Sequence, residues 1–200
     1  TVNGSGTLGD AASDVLSGVE NLIGSAHDDT LTGDGGANLF VGGLGNDVID
    51  GQGGVDTVSY ATATGSVTVD LSLGGTNVSG AAGSDALSNI ENIVGSSFDD
   101  ILTGNGLANL FDGGAGNDLM AGGLGTDTVS YASATAAVIA SLATGTASGG
   151  GGNDSLAGFE NLVGSAYNDT LSGDLSVNAI DGGAGDDVLI EVAERLRGLL

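Results

Sequence analysis

Aspartates recur in this chain at one fixed place within a glycine-rich unit of nine residues. Reading from Gly24 gives GSAHDDTLT, GDGGANLFV, GGLGNDVID and GQGGVDTVS without a gap. Reading from Gly95 gives GSSFDDILT, GNGLANLFD, GGAGNDLMA and GGLGTDTVS. A third run from Gly164 gives GSAYNDTLS, GDLSVNAID and GGAGDDVLI, and lone units open at Gly9, Gly80 and Gly149. The sixth residue is Asp in eleven of these fourteen units: Asp14, Asp29, Asp47, Asp56, Asp85, Asp100, Asp118, Asp127, Asp154, Asp169 and Asp187. It is Asn in the other three, at Asn38, Asn109 and Asn178. Carboxylates brought close together repel unless a cation sits between them, and glycine-rich turns expose backbone carbonyls. A hard cation takes about six to eight oxygens of both kinds. The chemistry that suits this spacing is calcium binding.

Elements must hold those turns in register. The eighth residue of every unit is apolar, from Leu16, Leu31 and Phe40 through to Leu171, Ile180 and Leu189. An x-apolar-x ending suits a very short strand with its middle side chain pointing inward. Turn plus strand, repeated, winds a solenoid whose thin core demands stacking. Asp29 is then expected near Asp47, and Asp100 near Asp118. A longer period encloses the short one, because Glu-Asn recurs at Glu20, Glu91 and Glu160, about 70 residues apart. Each copy ends in a spacer, Tyr60 to Ser79 and Tyr131 to Ser148, with a period-two apolar run that reads as a strand.

The units GGLGNDVID, GGAGNDLMA, GGLGTDTVS and GGAGDDVLI resemble the nonapeptide of RTX (repeats-in-toxin, hemolysin-type) proteins. That family comprises calcium-binding repeats of secreted bacterial toxins, proteases, lipases, adhesins and surface-layer proteins. The resemblance implies an all-β fold class, a parallel β-roll (a right-handed β-solenoid) with calcium ions bound in the glycine-rich turns and about 18 residues per coil. It also implies that the sixth-position Asp binds calcium together with carbonyls of the first four turn positions. Carried onto this chain, the ligands are Asp47, Asp56, Asp118, Asp127 and Asp187. Their turns contribute Gly42, Gly43, Leu44 and Gly45; Gly51 and Gly53; Gly113, Gly114, Ala115 and Gly116; Gly122, Gly123, Leu124 and Gly125; and Gly182 and Ala184. Asp29, Asp100 and Asp169 stand as partners in looser turns, and Asp14, Asp85 and Asp154 as further metal candidates beside the six-residue interruptions.

The expected organisation is a β-roll over residues 1–190. It comprises repeats at 9–79, 80–148 and an incomplete 149–190, followed by a tail at 191–200. That tail, EVAERLRGLL, has Val192, Leu196 and Leu199 at helical spacing and reads as a cap on the last rung. The chain reads as an excerpt of a longer array, so neighbouring repeats are expected partners.

Composition narrows the remaining classes. The chain has 26 acidic residues against 2 basic ones, a formal net charge of -24 and 40 glycines in 200 residues, with no cysteine. Nucleic acid and anionic membranes are poor partners, since nothing here neutralises phosphates. No apolar run reaches the roughly 18 residues of a membrane span. Absent cysteine excludes disulfides and thiolate metal sites. The lone His27 is replaced by Phe98 and Tyr167 in the other copies, which marks a packing position rather than a catalytic one. GSGTLG at Gly4 matches a nucleotide-loop pattern only because glycine is so common. The Glu-Asn phrase reads as a modified rung, with Asn stacking and Glu facing solvent.

The expected function is calcium-dependent folding of an extracellular or cell-surface segment that acts as a stalk or scaffold of an adhesin or surface protein, not as an enzyme. By family resemblance this serves type I secretion. The alternative is the calcium-binding tail of a secreted protease, lipase or epimerase whose catalytic domain lies outside this chain. Ice binding would favour an outward threonine array, and the third turn positions Leu44, Ala115, Leu124 and Ala184 argue against it. Saccharide binding stays open. Dissociation constants of about 10⁻⁴ to 10⁻³ M follow by analogy with extracellular modules.

Overall fold

The computed structural model describes residues 19–74 and 76–191. Asp14, Leu16 and the tail from Val192 onward lie outside the described residues. Among those described, every regular element is a strand, most of them three residues long.

The brevity follows from the unit. Each nonapeptide contributes six turn residues and three strand residues, and only the middle strand residue points inward. Leu31, Phe40, Ile49, Val58, Leu102, Phe111, Met120, Val129 and Leu171 are all buried, so the eighth-position residues form the core. At the last rung Leu189 is exposed. Phe111 also meets Phe159 edge-to-face, with ring centroids 5.7 Å apart.

One face stacks eight strands, all in parallel. They are β1 (Asn21–Ile23), β3 (Leu39–Val41), β5 (Thr57–Ser59), β9 (Asn92–Val94), β11 (Leu110–Asp112), β13 (Thr128–Ser130), β17 (Asn161–Val163) and β19 (Ala179–Asp181). Leu22 pairs with Phe40 and Ile93 with Phe111, which is the 18-residue register expected of two units per coil. The first residues of these strands run Asn, Leu, Thr, Asn, Leu, Thr, Asn and Ala. Asn92 donates to Thr57 Oγ1 (3.3 Å) and Asn161 to Thr128 Oγ1 (3.3 Å), so the Asn of the Glu-Asn phrase ties one long repeat to the previous one.

The opposite face begins with β2 (Thr30–Thr32), β4 (Val48–Asp50) and β8 (Ala86–Ser88), stacked in parallel. It continues with β6 (Val67–Asp70), β10 (Ile101–Thr103), β12 (Leu119–Ala121) and β16 (Gly152–Ala157), and ends with β14 (Val138–Ser141), β18 (Thr170–Ser172) and β20 (Val188–Ile190). The spacers do contain the expected strands, β6 and β14, with alternating burial. They also contain antiparallel strands that the sequence reading does not anticipate. β7 (Val78–Gly80) runs against β6, and β15 (Thr146–Gly149) runs against both β14 and β16. Each spacer is therefore a meander that adds two strands to one face only. In the first meander the Asn77 side chain accepts the Leu87 backbone N–H (2.7 Å) and donates to the Leu87 carbonyl (3.2 Å).

Candidate metal centre

Turns line both edges of the stack. The sixth-position residues form a ladder in which each backbone N–H donates to the side chain one coil further on. Asp29 donates to Asp47 Oδ1 (2.9 Å) and Asn38 to Asp56 Oδ1 (2.7 Å). Asp100 donates to Asp118 Oδ1 (2.8 Å), Asn109 to Asp127 Oδ1 (2.8 Å) and Asp169 to Asp187 Oδ1 (2.9 Å). The columns expected from the repeat are present, and Asp29, Asp47, Asp56, Asp100, Asp118, Asp127 and Asp169 are all buried. A second ladder runs at the exposed fifth positions, where Asn46 donates to Asp28 and Asn117 to Asp99.

The turns of the three nonapeptide blocks fall into two conformations. In the first, the second residue is Ser, Asp or Asn: Ser25, Asp34, Ser96, Asn105, Ser165 and Asp174. Its side chain accepts the N–H of the fourth residue, as Ser96 Oγ does from Phe98 (3.1 Å) and Asn105 Oδ1 from Leu107 (2.8 Å). This local turn is the one these side chains favour. The second residue's own N–H then points into the turn and donates to the sixth side chain. The distances are 2.5 Å to Asp29, 2.9 Å to Asn38, 2.5 Å to Asp100, 3.0 Å to Asn109, 2.5 Å to Asp169 and 2.7 Å to Asn178. These turns are closed on themselves.

In the second conformation the second residue has positive φ: Gly43 (104°), Gln52 (67°), Gly114 (86°), Gly123 (103°) and Gly183 (78°). Glycine adopts this without a Cβ clash. The second residue's N–H now leaves the turn, as Gln52 and Gly114 show by donating outward to Asp50 and Asp112, each at 3.0 Å. Nothing replaces it inside. Asp47 Oδ2, Asp56 Oδ2, Asp118 Oδ2 and Asp127 Oδ2 are buried oxygens without a hydrogen-bond donor. A buried polar atom left unpaired costs about 1–3 kcal/mol, and more when charged. Each of these open turns sits directly on a closed one.

Burial pushes the Asp47 carboxyl up to about 6, with Asp85, Asp29 and Asp28 adding repulsion. It pushes Asp118 up to about 7, with Asp154, Asp100 and Asp99 adding to it. Asp56 and Asp127 are raised for the same first reason, with Glu91 and Glu160 as their respective charged neighbours. No three acidic or histidine side chains converge among the described residues, so further oxygens for a cation come from the backbone. The first-position carbonyls of the open turns approach the closed turns beneath: Gly42 O lies where a Gly24 side chain would be, beside Asp29 Oδ2, and Gly113 O where a Gly95 side chain would be, beside Asp100 Oδ2.

The family model described as the RTX calcium-binding nonapeptide repeat (4 copies) matches residues 23–58, 94–129 and 157–189. The chain belongs to this family. The matched segments cover a little over half its length and contain all five open turns. RTX repeats of this kind bind calcium, and the family is typical of secreted bacterial proteins. No match was found among curated proteins. The open turns of this RTX chain fit the ion: their donors are hard oxygens, four of the five hold a buried aspartate oxygen without a donor, and at Asp47 and Asp118 a second carboxylate, Asp29 or Asp100, lies on the coil beneath.

The remaining expected site residues differ among themselves. Asp187 is half-buried in the last turn. Asp85 Oδ1 accepts from Asp47 (3.0 Å) and its Oδ2 accepts the Tyr60 hydroxyl (3.0 Å); Asp154 does the same with Asp118 (3.0 Å) and Tyr131 (2.9 Å). Both oxygens of Asp85 and of Asp154 already have protein donors, which makes these two the least suited to a metal. Leu44 and Leu124 expose their side chains, while their N–H groups bond Ser25 O and Asn105 O on the coil below, both at 3.1 Å. Gly53 does likewise to Asp34 O, at 3.1 Å. The sequence reading passes over Tyr60 and Tyr131, although each follows the last nonapeptide of its block. It also passes over the second turn residue, whose identity separates closed turns from open ones. His27 is exposed, with its N–H on Ser25 Oγ.

Proposed function

We propose that this chain is a calcium-gated structural segment of a secreted bacterial protein, acting as a stalk or scaffold at the cell surface and not itself an enzyme. The observation that carries the calcium gating is the set of four buried Oδ2 atoms at Asp47, Asp56, Asp118 and Asp127, each in an open turn and each without a donor. A fold that buries these charges without a counter-ion opposes its own stacking, and the net charge of -24 adds repulsion along the whole stack. Asp47, Asp56, Asp118 and Asp127 would hold calcium with Asp29, Asp100 and the first-position carbonyls of the stacked turns. The ion supplies the positive charge that the two arginines cannot. Binding free energy then becomes folding free energy. At low calcium, inside a cell, the glycine-rich acidic chain stays unfolded and suits export by type I secretion; at millimolar calcium outside, it stacks. Far-ultraviolet circular dichroism during calcium titration, with magnesium as control, tests this. A cooperative coil-to-β change with calcium alone is expected. A β spectrum that chelation leaves unchanged overturns the gating.

A further inference from the structure

We propose that Glu91 and Glu160 complete two cation sites with Asp56 and Asp127 at the seams between long repeats, outside the nonapeptide pattern. The proposal rests on the calcium reading above and extends it to turns of a different construction.

At each seam a three-residue turn replaces the usual six. Residues 89–91 join β8 to β9, and residues 158–160 join β16 to β17. Ile90 and Phe159, both buried, anchor these turns in the core. Their first residues, Asn89 (φ 52°) and Gly158 (φ 66°), are left-handed. The third residue is Glu in both. The short turn is held against the coil below: the Glu91 and Asn92 N–H groups donate to Asp56 O (3.1 and 2.9 Å), and those of Glu160 and Asn161 to Asp127 O (3.1 and 2.9 Å). Glu91 Oε2 accepts the Asp56 N–H at 2.9 Å, and Glu160 Oε2 accepts the Asp127 N–H at 2.8 Å. Glutamate thus takes the place in the ladder that a sixth-position aspartate holds elsewhere. It does not simply face solvent, as the sequence suggests.

The second observation is what these glutamates stand beside. Asp56 and Asp127 are fully buried, and the Oδ2 of each lacks a donor. A methyl group on Gly51 would strike both the Asn89 carbonyl oxygen and Asp56 Oδ2; one on Gly122 would strike both the Gly158 carbonyl oxygen and Asp127 Oδ2. In closed turns the same carbonyl-over-carboxylate approach is relieved by an inward N–H. Here no hydrogen lies between the two oxygens. Carbonyl, aspartate and glutamate oxygens therefore gather at each seam with a net charge that only a cation balances. Both seams repeat the arrangement position for position with different first and second residues, and the first lies between the segments matched by the family model. A divalent cation bound there would clamp one long repeat to the next.

The test counts calcium bound by the whole chain, using native mass spectrometry and equilibrium dialysis with calcium as the only added metal. Glu91→Gln and Glu160→Gln are compared with the unaltered chain, singly and together. Glutamine keeps an oxygen for the Asp56 or Asp127 N–H and removes only the charge, so a purely structural role predicts no change in ion count. The expected result is one ion fewer in each single variant, with the β signal retained at saturating calcium. An unaltered count in both single variants overturns the inference and leaves the calcium reading standing. No calcium bound by the unaltered chain removes that reading itself. The two seams lie in different long repeats, so each single variant decides even where the double variant does not fold.

Discussion

The turns at residues 24–29 and 42–47 lie one directly above the other and share a length, a sixth-position aspartate and a buried eighth residue, yet they treat that aspartate differently. In the lower turn Ser25 bends the backbone so that its N–H reaches Asp29 Oδ2. In the upper turn Gly43, at φ 104°, directs its N–H elsewhere and leaves Asp47 Oδ2 buried and unsatisfied. The same pairing recurs at 33–38 beneath 51–56, at 95–100 beneath 113–118 and at 104–109 beneath 122–127. The lesson is that the nonapeptide consensus does not by itself specify a metal site. The sign of one backbone dihedral decides whether the aspartate oxygen is filled by the protein or left for an ion.

The largest way to sharpen the contrast is to remove calcium. Open turns are expected to lose their stacking while nothing in the closed ones compensates, so the β signal should collapse in chelator. Each site saturated at about one hundred times its Kd contributes about 2.7 kcal/mol. Next comes pH. The folded, calcium-free chain holds protons on Asp47 (about 6) and Asp118 (about 7) that the unfolded chain releases near 3.8. The folded state therefore binds more protons through this window, and stability in chelator should fall as pH rises from about 4 to about 7. Calcium takes the proton's place, so calcium affinity should climb over the same range. The β signal left in chelator and the calcium midpoint, each taken at pH 5 and pH 8, check both signs; more residual β structure in chelator at pH 8 would contradict the buried-carboxylate account.

Point substitutions separate the two turn classes. Asp47→Asn should abolish one calcium site and cost about 2.7 kcal/mol of calcium-dependent stability under the same saturation. Asp29→Asn, in the closed turn beneath, keeps an oxygen for Ser25, as Asn38 does for Asp34, and should cost less than about 1 kcal/mol. Equal losses from the two would erase the distinction. Gly43→Ser forces a Cβ into positive φ and against Ser25 O, at a cost of about 1–3 kcal/mol, and should lower the ion count. The smallest effect is expected at the tyrosines. Tyr131→Phe leaves Asp154 Oδ2 without its donor and should cost about 1 kcal/mol by thermal denaturation, with the ion count unchanged.

Much of this was legible in the residues. The 18-residue register follows from a nine-residue unit that places one apolar side chain inward per strand, because two such units close a coil. The columns of Asp47, Asp56, Asp118 and Asp127 follow from that register. The division between closed and open turns was present too, in Ser, Asp or Asn against Gly at the second position, but its meaning appears only once the N–H groups are seen to point in or out. Gln52 marks the limit: no propensity assigns it positive φ, and Asp50 beside it, accepting its N–H, shows how the turn is held.

The sequence by itself therefore determined the unit, its register, its acidic columns and the need for a counter-ion, because those depend on periodicity and charge. Tertiary structure alone decided what depends on neighbours far along the chain. Spacers that read as single strands became antiparallel meanders, because their extra strands find partners only in β6, β14 and β16. Asp85 and Asp154 fit the metal pattern in sequence yet are satisfied by Tyr60 and Tyr131, more than twenty residues upstream. Glu91 and Glu160 stand outside the nonapeptide pattern, yet stacking carries them to the two aspartates whose oxygens were left unfilled.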